Sequence, residues 1–85
     1  MIKDLYTINE YGSIYIELQS IMDAKKITRN RLSRAIGARY EVIDKWYKGN
    51  IEKIDTDVLA RICWALDCEP SDIIKYRPDN EKTRT

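Results

Sequence analysis

The chain has 85 residues, of which 44% are hydrophobic and 34% are charged, and its formal net charge is +1. This composition predicts one soluble globular domain and excludes a chain that is disordered throughout. The sequence has no apolar run of about 18 residues and residues 1–6 lack the apolar core of a signal peptide, so we expect a cytoplasmic protein that does not enter a membrane.

The charges are unevenly distributed along the chain. Residues 24–50 contain eight bases and two acids, a net charge of +6, whereas the rest of the chain carries −5. A block of one sign is typical of a surface that binds a polyanion. We therefore favour a nucleic-acid partner over the alternative, a solvated charged face.

The first predicted elements precede this block and enter it. Residues 1–12 fit neither a helical nor a strand period and are predicted to be an N-terminal arm with no assigned structure. Gly12 and Ser13 then provide a break and an N-cap, and apolar residues at helical spacing predict a first helix from Ile14 to about Asp23 or Lys25. Thr28 is expected to cap a second helix, Arg29–Ile36. Its expected buried residues are Leu32, Ala35 and Ile36.

Two glycines frame the third predicted helix. Gly37 stands where the chain needs a positive φ and where a missing Cβ allows two helices to approach closely. The helix is expected to run from about Arg39 to Lys48 and to end at Gly49. Its core-facing side chains are predicted to be Val42, Ile43 and Trp46.

Two further helices complete a predicted all-α bundle of about five short helices. Asp55 is the expected N-cap of the fourth helix, Asp67 ends it, and Pro70 suits the first position of a short fifth helix. Residues 77–85 have no apolar side chain and are predicted to be a disordered tail. The expected core residues are Leu59, Ile62, Cys63 and Leu66 in the fourth helix and Ile73, Ile74 and Tyr76 in the fifth.

Enzymatic chemistry has little support in the sequence. The chain has no histidine, and it shows neither a glycine-rich phosphate loop nor a metal-ligand cluster, so we expect no enzyme, no metal and no cofactor. Cys63 and Cys68 follow no metal or redox spacing. We expect two free thiols in a reducing cytoplasm, with a disulfide between them as the alternative.

The sequence pattern predicts a helix-turn-helix at residues 27–50, ITRNRLSRAIGARYEVIDKWYKGN. In this motif two short helices are joined by a glycine-containing turn, and the second helix enters the major groove of DNA. The segment resembles the Cro/phage-repressor family of helix-turn-helix regulators, also called XRE-type. The resemblance covers residues 14–76. The residues that carry it are Thr28, Leu32, Ala35, Ile36, Gly37, Ile43, Lys45, Lys48 and Gly49, with 57–68 and 71–74 similar to the family's fourth and fifth helices.

The resemblance implies a lambda-repressor-like domain at residues 13–76 that binds double-stranded DNA and regulates transcription, most simply as a repressor. By position, the second helix of the pair, residues 39–48, would enter the major groove. The residues implied to face it are Arg39, Tyr40, Glu41 and Lys45, those implied to hold phosphates are Thr28 and Arg29, and those implied to touch the backbone at the far side are Lys48 and Asn50. Many relatives carry small polar residues at 39–41, so no base preference is transferred.

Each of these assignments has a structural alternative. Arg39 and Lys48 could be solvated charges, Tyr40 could be a packing residue, and Glu41 could pair with Lys45 one helical turn later. Trp46 is expected in the core.

Trp64 adds an alternative function. It lies beside the core stripe of the fourth helix, and it is either partly covered by the N-terminal arm or exposed as a surface for a homodimer or another protein. The fourth and fifth helices, the tail and the arm are all candidate dimer surfaces. An antitoxin or anti-repressor that acts mainly through protein contacts is therefore the alternative to a DNA-binding regulator.

Overall fold

Five short helices and a two-stranded antiparallel sheet make up the part of the chain that the computed structural model describes, residues 11–78. Residues 1–10 of the predicted arm (1–12) and residues 79–85 of the predicted tail (77–85) lie outside the described residues. The elements in chain order are β1 (Ser13–Ile16), α1 (Leu18–Lys25), α2 (Arg29–Ile36), α3 (Tyr40–Lys48), α4 (Thr56–Leu66), α5 (Pro70–Ile73) and β2 (Ile74–Arg77).

Side-chain caps fix where two of the helices begin. The Thr28 hydroxyl oxygen accepts from the Arg31 backbone N–H at 3.1 Å, at the start of α2. The Asp55 carboxylate accepts from the backbone N–H groups of Asp57 and Val58 at 2.9 and 3.3 Å, at the start of α4. Such caps satisfy amides that have no partner inside the helix, and the predicted N-caps Thr28 and Asp55 are confirmed. The third predicted N-cap, Ser13, is wrong, because Ser13 begins β1.

The two glycines that frame α3 have positive φ angles, +70° at Gly37 and +79° at Gly49. A residue with a Cβ adopts this region only at a cost, which explains why glycine suits the ends of α2 and α3. The predicted close approach at Gly37 is wrong, because a Cβ placed there would lie 3.9 Å from Arg61 Nη1. The requirement at Gly37 is conformational.

The predicted start of the first helix is wrong. Helix α1 begins at Leu18 with Glu17 at its N-cap, and residues 13–16 form a strand instead. That strand pairs with β2, with Ser13 opposite Arg77 and Ile16 opposite Ile74. Ile14, Tyr15 and Ile16 are β-branched or aromatic, residue types that favour a paired strand over a helix once a partner strand is available.

The second strand corrects the predicted end of the fold. Pro70 stands at the first position of α5, as expected, but the helix ends at Ile73 and the chain continues as β2. Tyr76 is consequently exposed instead of packed on the core, and Arg77 belongs to β2 instead of the tail. The five predicted helices are confirmed, but the domain is not strictly all-α.

The core lies between the helices and the inner face of the sheet. Trp46 is only 2% exposed, which confirms its predicted place, whereas Ala35 is exposed and Ser33 is buried in its stead. The Ser33 hydroxyl donates to the Asn30 carbonyl at 2.8 Å, so its burial leaves no polar group unpaired. The buried hydrophobic side chains are Leu18, Met22, Leu32, Ile36, Ile43, Trp46, Ile62, Leu66 and Ile73.

Cys63 and Cys68 are free thiols, both half-buried. Trp64 is 78% exposed on α4. None of the helices within residues 11–78 is long and apolar enough to cross a membrane.

Candidate nucleic-acid interface

Helix α3 separates a buried face from an exposed one. Ile43 and Trp46 are buried, and this apolar face holds α3 against the rest of the domain. Glu41 and Lys45 are one turn apart on the opposite side of the helix and are exposed. The helix is therefore fixed by its inner face and presents polar side chains on its outer face, as base reading in a groove requires.

The N-terminus of α3 is also accessible. Arg39 is the N-cap residue, in extended conformation, and its side chain is exposed. Tyr40 follows as the first helical residue, and it too is exposed. All four residues predicted to face the major groove, Arg39, Tyr40, Glu41 and Lys45, are thus on the accessible surface of α3 or its cap.

Arg29 and Lys48, one from each predicted group of backbone contacts, are brought together by Asp44, a residue to which the sequence pattern assigns no role. Arg29 Nη1 lies 2.6 Å from Asp44 Oδ1, and Lys48 Nζ lies 3.1 Å from Asp44 Oδ2. Arg29 is the first residue of α2, whereas Lys48 is the last of α3. Asp44 therefore links the two ends of the α2–α3 unit.

The charge state of Asp44 reflects this arrangement. The hydrogen bond from Lys48 lowers the pKa of the Asp44 carboxyl most, and the nearby Arg29 lowers it further, while partial burial acts in the opposite direction. The net shift is downward. Asp44 is therefore an anion at neutral pH, held between two cations.

Two tyrosines confine the Arg29 side chain. Its guanidinium carbon lies 4.6 Å from the centre of the Tyr47 ring and 5.9 Å from that of Tyr40, within cation–π range. The Tyr47 hydroxyl donates to Asp23 Oδ1 at 2.8 Å, and this hydrogen bond is the main reason that the pKa of Tyr47 is raised. Through Tyr47, helix α1 also supports the position of Arg29.

Three more cations lie along α2 and just before it. Lys26, Arg31 and Arg34 line a shallow hollow together with Thr28 and Ala35. All three belong to the basic block at residues 24–50, although no DNA contact is predicted for them from the sequence. Because these three cations line one hollow, they are candidates for phosphate contacts as well.

The alternative pairing of Glu41 with Lys45 is not formed. Within residues 11–78 the carboxylate of α3 that forms ion pairs is Asp44, and its i,i+4 partner is Lys48. Asn50 lies just beyond α3, where its backbone N–H donates to the Lys45 carbonyl at 2.9 Å and its side chain is exposed.

Asp44, Arg29 and Lys48 form a cluster of ion pairs, and only part of it could have been found from the sequence. Asp44 and Lys48 have the i,i+4 spacing that predicts an ion pair on a helix. The pair between Arg29 and Asp44 joins two helices, and no local pattern encodes how α2 and α3 are oriented.

The model of the Cro/C1-type helix-turn-helix DNA-binding domain matches residues 17–79. The uncharacterized HTH-type transcriptional regulator YozG of Bacillus subtilis (strain 168) is 29% identical over 69 residues, which cover 81% of this chain and 82% of YozG.

Two solved structures share the fold. A candidate DNA-binding protein from Bacteroides fragilis superposes with a TM-score of 0.65 at 17% identity, over 74% of this chain and 100% of that one. The transcriptional regulator VanUg superposes with a TM-score of 0.62 at 24% identity, over 91% of this chain and 99% of that one.

Proposed function

Because the chain belongs to the family of Cro/C1-type helix-turn-helix DNA-binding domains, we propose that it is a sequence-specific transcriptional repressor that inserts α3 into the major groove of its operator. The observation that carries the proposal is the division of α3 into a buried apolar face and an exposed polar face. Acting on DNA, the protein would work in the cytoplasm. The relative YozG, named as a transcriptional regulator, supports this function over an antitoxin or anti-repressor.

The chemistry of the exposed face suggests how bases are read. Arg39 can donate two hydrogen bonds to a guanine, and the Glu41 carboxylate can accept from a cytosine amino group. Tyr40 can pack on a thymine methyl group, and Lys45 can donate to a guanine oxygen or nitrogen. These four side chains are our assignment of the base-reading surface.

Phosphate contacts are proposed on both sides of that surface. Thr28 and Arg29 stand at the start of α2, where backbone N–H groups and the helix dipole favour an anion. Lys48 and Asn50 stand at the end of α3. Lys26, Arg31 and Arg34 extend the basic surface around α2, so each half-site would contact several phosphates.

A salt titration tests the proposal. Fluorescence anisotropy with a pool of random double-stranded DNA at low salt should show binding, because phosphate contacts are independent of sequence. If about four to six phosphates are neutralised, the logarithm of the association constant should fall with the logarithm of salt at a slope of about −4 to −5. No binding at about 50 mM salt would contradict the proposal.

We also propose that the protein binds its operator as a homodimer. Helix-turn-helix regulators read two half-sites about one helical turn apart when they bind as two-fold dimers. Trp64 is 78% exposed on α4, and aromatic side chains are enriched at interface centres. Sedimentation of the Trp64→Ala variant tests this surface: a shift from dimer to monomer is expected, and a dimer of unchanged stability would reject it.

A further inference from the structure

Arg29 and Lys48, two of the residues proposed to contact phosphates, both form an ion pair with the same carboxylate, that of Asp44. Asp44 accepts from Arg29 through Oδ1 and from Lys48 through Oδ2, at 2.6 and 3.1 Å. Both oxygens are therefore occupied, each by a different cation. Within helix α3, Tyr40, Asp44 and Tyr47 follow at helical spacing and form one stripe, which faces Arg29.

The side chains of Asp44, Arg29 and Lys48 differ in how much of their surface is exposed to solvent. The Asp44 side chain is 23% exposed, that of Arg29 35% and that of Lys48 56%. The carboxylate thus lies deeper than the cations that it binds. The two cations are therefore more accessible to a phosphate than the carboxylate between them.

An acidic residue at this position has a cost and a benefit. Its charge repels the phosphates of any duplex, whatever the sequence. However, long basic side chains lose rotamer freedom when they bind, and a side chain that is held beforehand loses less. Arg29 is held by a carboxylate and two aromatic rings, so its position is largely set before DNA arrives.

We propose that Asp44 is a positioning residue for DNA recognition. It holds Arg29 and Lys48 so that both reach phosphates only when the outer face of α3 meets its cognate bases. Free cations would follow phosphates in any register, whereas fixed cations couple phosphate contacts to base reading. This inference rests on the proposed function, and it assigns a specificity role to a residue that touches no base.

The ratio of two affinities isolates this role. Asp44→Asn removes one negative charge and should strengthen binding to every duplex equally, so that effect cancels in the ratio of specific to non-specific affinity. The loss of positioning does not cancel, because it weakens binding in one register only. Glu52→Gln provides the matched control, since Glu52 is exposed in the loop after α3 and forms no ion pair within residues 11–78.

The experiment first selects the tightest duplex from a random pool with the unmodified protein. Anisotropy then gives the affinity of each variant for this duplex and for a scrambled duplex of the same composition. For Asp44→Asn we expect the ratio to fall about three- to tenfold, the loss of two partly exposed ion pairs, with no change for Glu52→Gln. In an Arg29→Gln background, Asp44→Asn should lower the ratio less, because one of its two partners is gone.

Each result has a definite meaning. An Asp44→Asn ratio equal to that of the unmodified protein, or higher, overturns the inference, as does an equal fall in Glu52→Gln. Thermal unfolding checks that the Asp44→Asn variant folds. A general loss of structure would not make the effect of Asp44→Asn smaller in the Arg29→Gln background than in the unmodified protein. If the unmodified protein binds no duplex at low salt, the proposed function fails instead.

Discussion

At the residue scale, Arg39 combines an unusual cap with an exposed charge. Most N-cap side chains accept a hydrogen bond from the helix, as Thr28 and Asp55 do here. The Arg39 side chain makes no such bond in the described part of the chain. It is therefore available to another molecule at the end of α3 that would point into the groove.

Arg39→Ala should consequently separate binding from folding. Because no capping bond is lost, the free energy of unfolding should change little. If Arg39 reads a base, discrimination between the selected and the scrambled duplex should fall by about 1–3 kcal/mol. Anisotropy measures this loss, and Lys75→Ala, in β2 and outside the helix-turn-helix, is the control. Equal loss for both duplexes would identify Arg39 as a phosphate contact.

Cys68 provides a prediction about pH. Burial, together with the neighbouring Cys63, raises the pKa of the Cys68 thiol from 9.0 to about 11. The folded state thus holds this proton more tightly than the unfolded state does. The resulting contribution to stability is complete below pH 9 and is lost as the pH rises through about 11.

The pH dependence of the alkylation rate reports this pKa shift. The thiolate is the reactive form, so Cys68 should react with iodoacetamide more slowly in the folded protein than in the urea-unfolded protein between pH 8 and about 10. Mass spectrometry of the peptide that contains Cys68 gives both rates. Equal rates would show that the thiol is not protected.

At the element scale, α2 and α3 depend on the backbone conformation between them. Gly37 has a φ of +70°, and a Cβ there would meet no atom closer than 3.9 Å. Gly37→Ala should therefore destabilise the protein through backbone strain alone, by about 1 kcal/mol. Gly37→Asn should cost less, because asparagine tolerates this conformation. Urea unfolding measures both, and an equal cost would point to a steric cause.

The predictable elements are those with local signals. Thr28, Asp55, Gly37 and Gly49 act on amides or φ angles within a few residues, and the sequence alone therefore places α2, α3 and α4 closely. Strand β1 has no such signal. Ile14 continues the helical spacing of Leu18 and Ile21, and its strand partner Tyr76 lies far along the chain, so the periodicity extends the first helix too far.

In the candidate site, too, features with a local sequence pattern could be predicted and those that depend on distant residues could not. The exposed face of α3 could be predicted, because helical spacing alone separates Glu41 and Lys45 from Ile43 and Trp46. The Arg29–Asp44 pair could not, because it depends on how two helices cross. Whether the eight assigned residues contact DNA stays a prediction.

At the scale of the whole molecule, the sheet joins the two ends of the described chain. Gly12 adjoins β1, and a Cβ there would lie 1.7 Å from the carbonyl oxygen of Arg77. The Gly12 backbone N–H also donates to the Tyr76 hydroxyl at 3.0 Å. Only glycine allows the two backbones this close.

Gly12→Ala should accordingly push the strand ends apart. We expect a loss of about 1–3 kcal/mol in the free energy of unfolding, as for other overpacked sites. Ser13→Ala, the next residue along the strand, is the matched control and should change stability by less than about 0.5 kcal/mol. Chemical denaturation followed by circular dichroism measures both. A neutral Gly12→Ala would mean that the strand ends separate at no cost.

The pairing of Ser13 with Arg77 also decides how the domain can be joined to other chains. The polypeptide enters and leaves the described domain at adjacent positions, on neighbouring antiparallel strands. A domain with neighbouring entry and exit points can be inserted into a surface loop of a host protein with little distortion of either partner. The same geometry makes the domain suitable for fusion to a host protein. If the two attachment points in the host moved apart, the force would act directly on the β1–β2 pair.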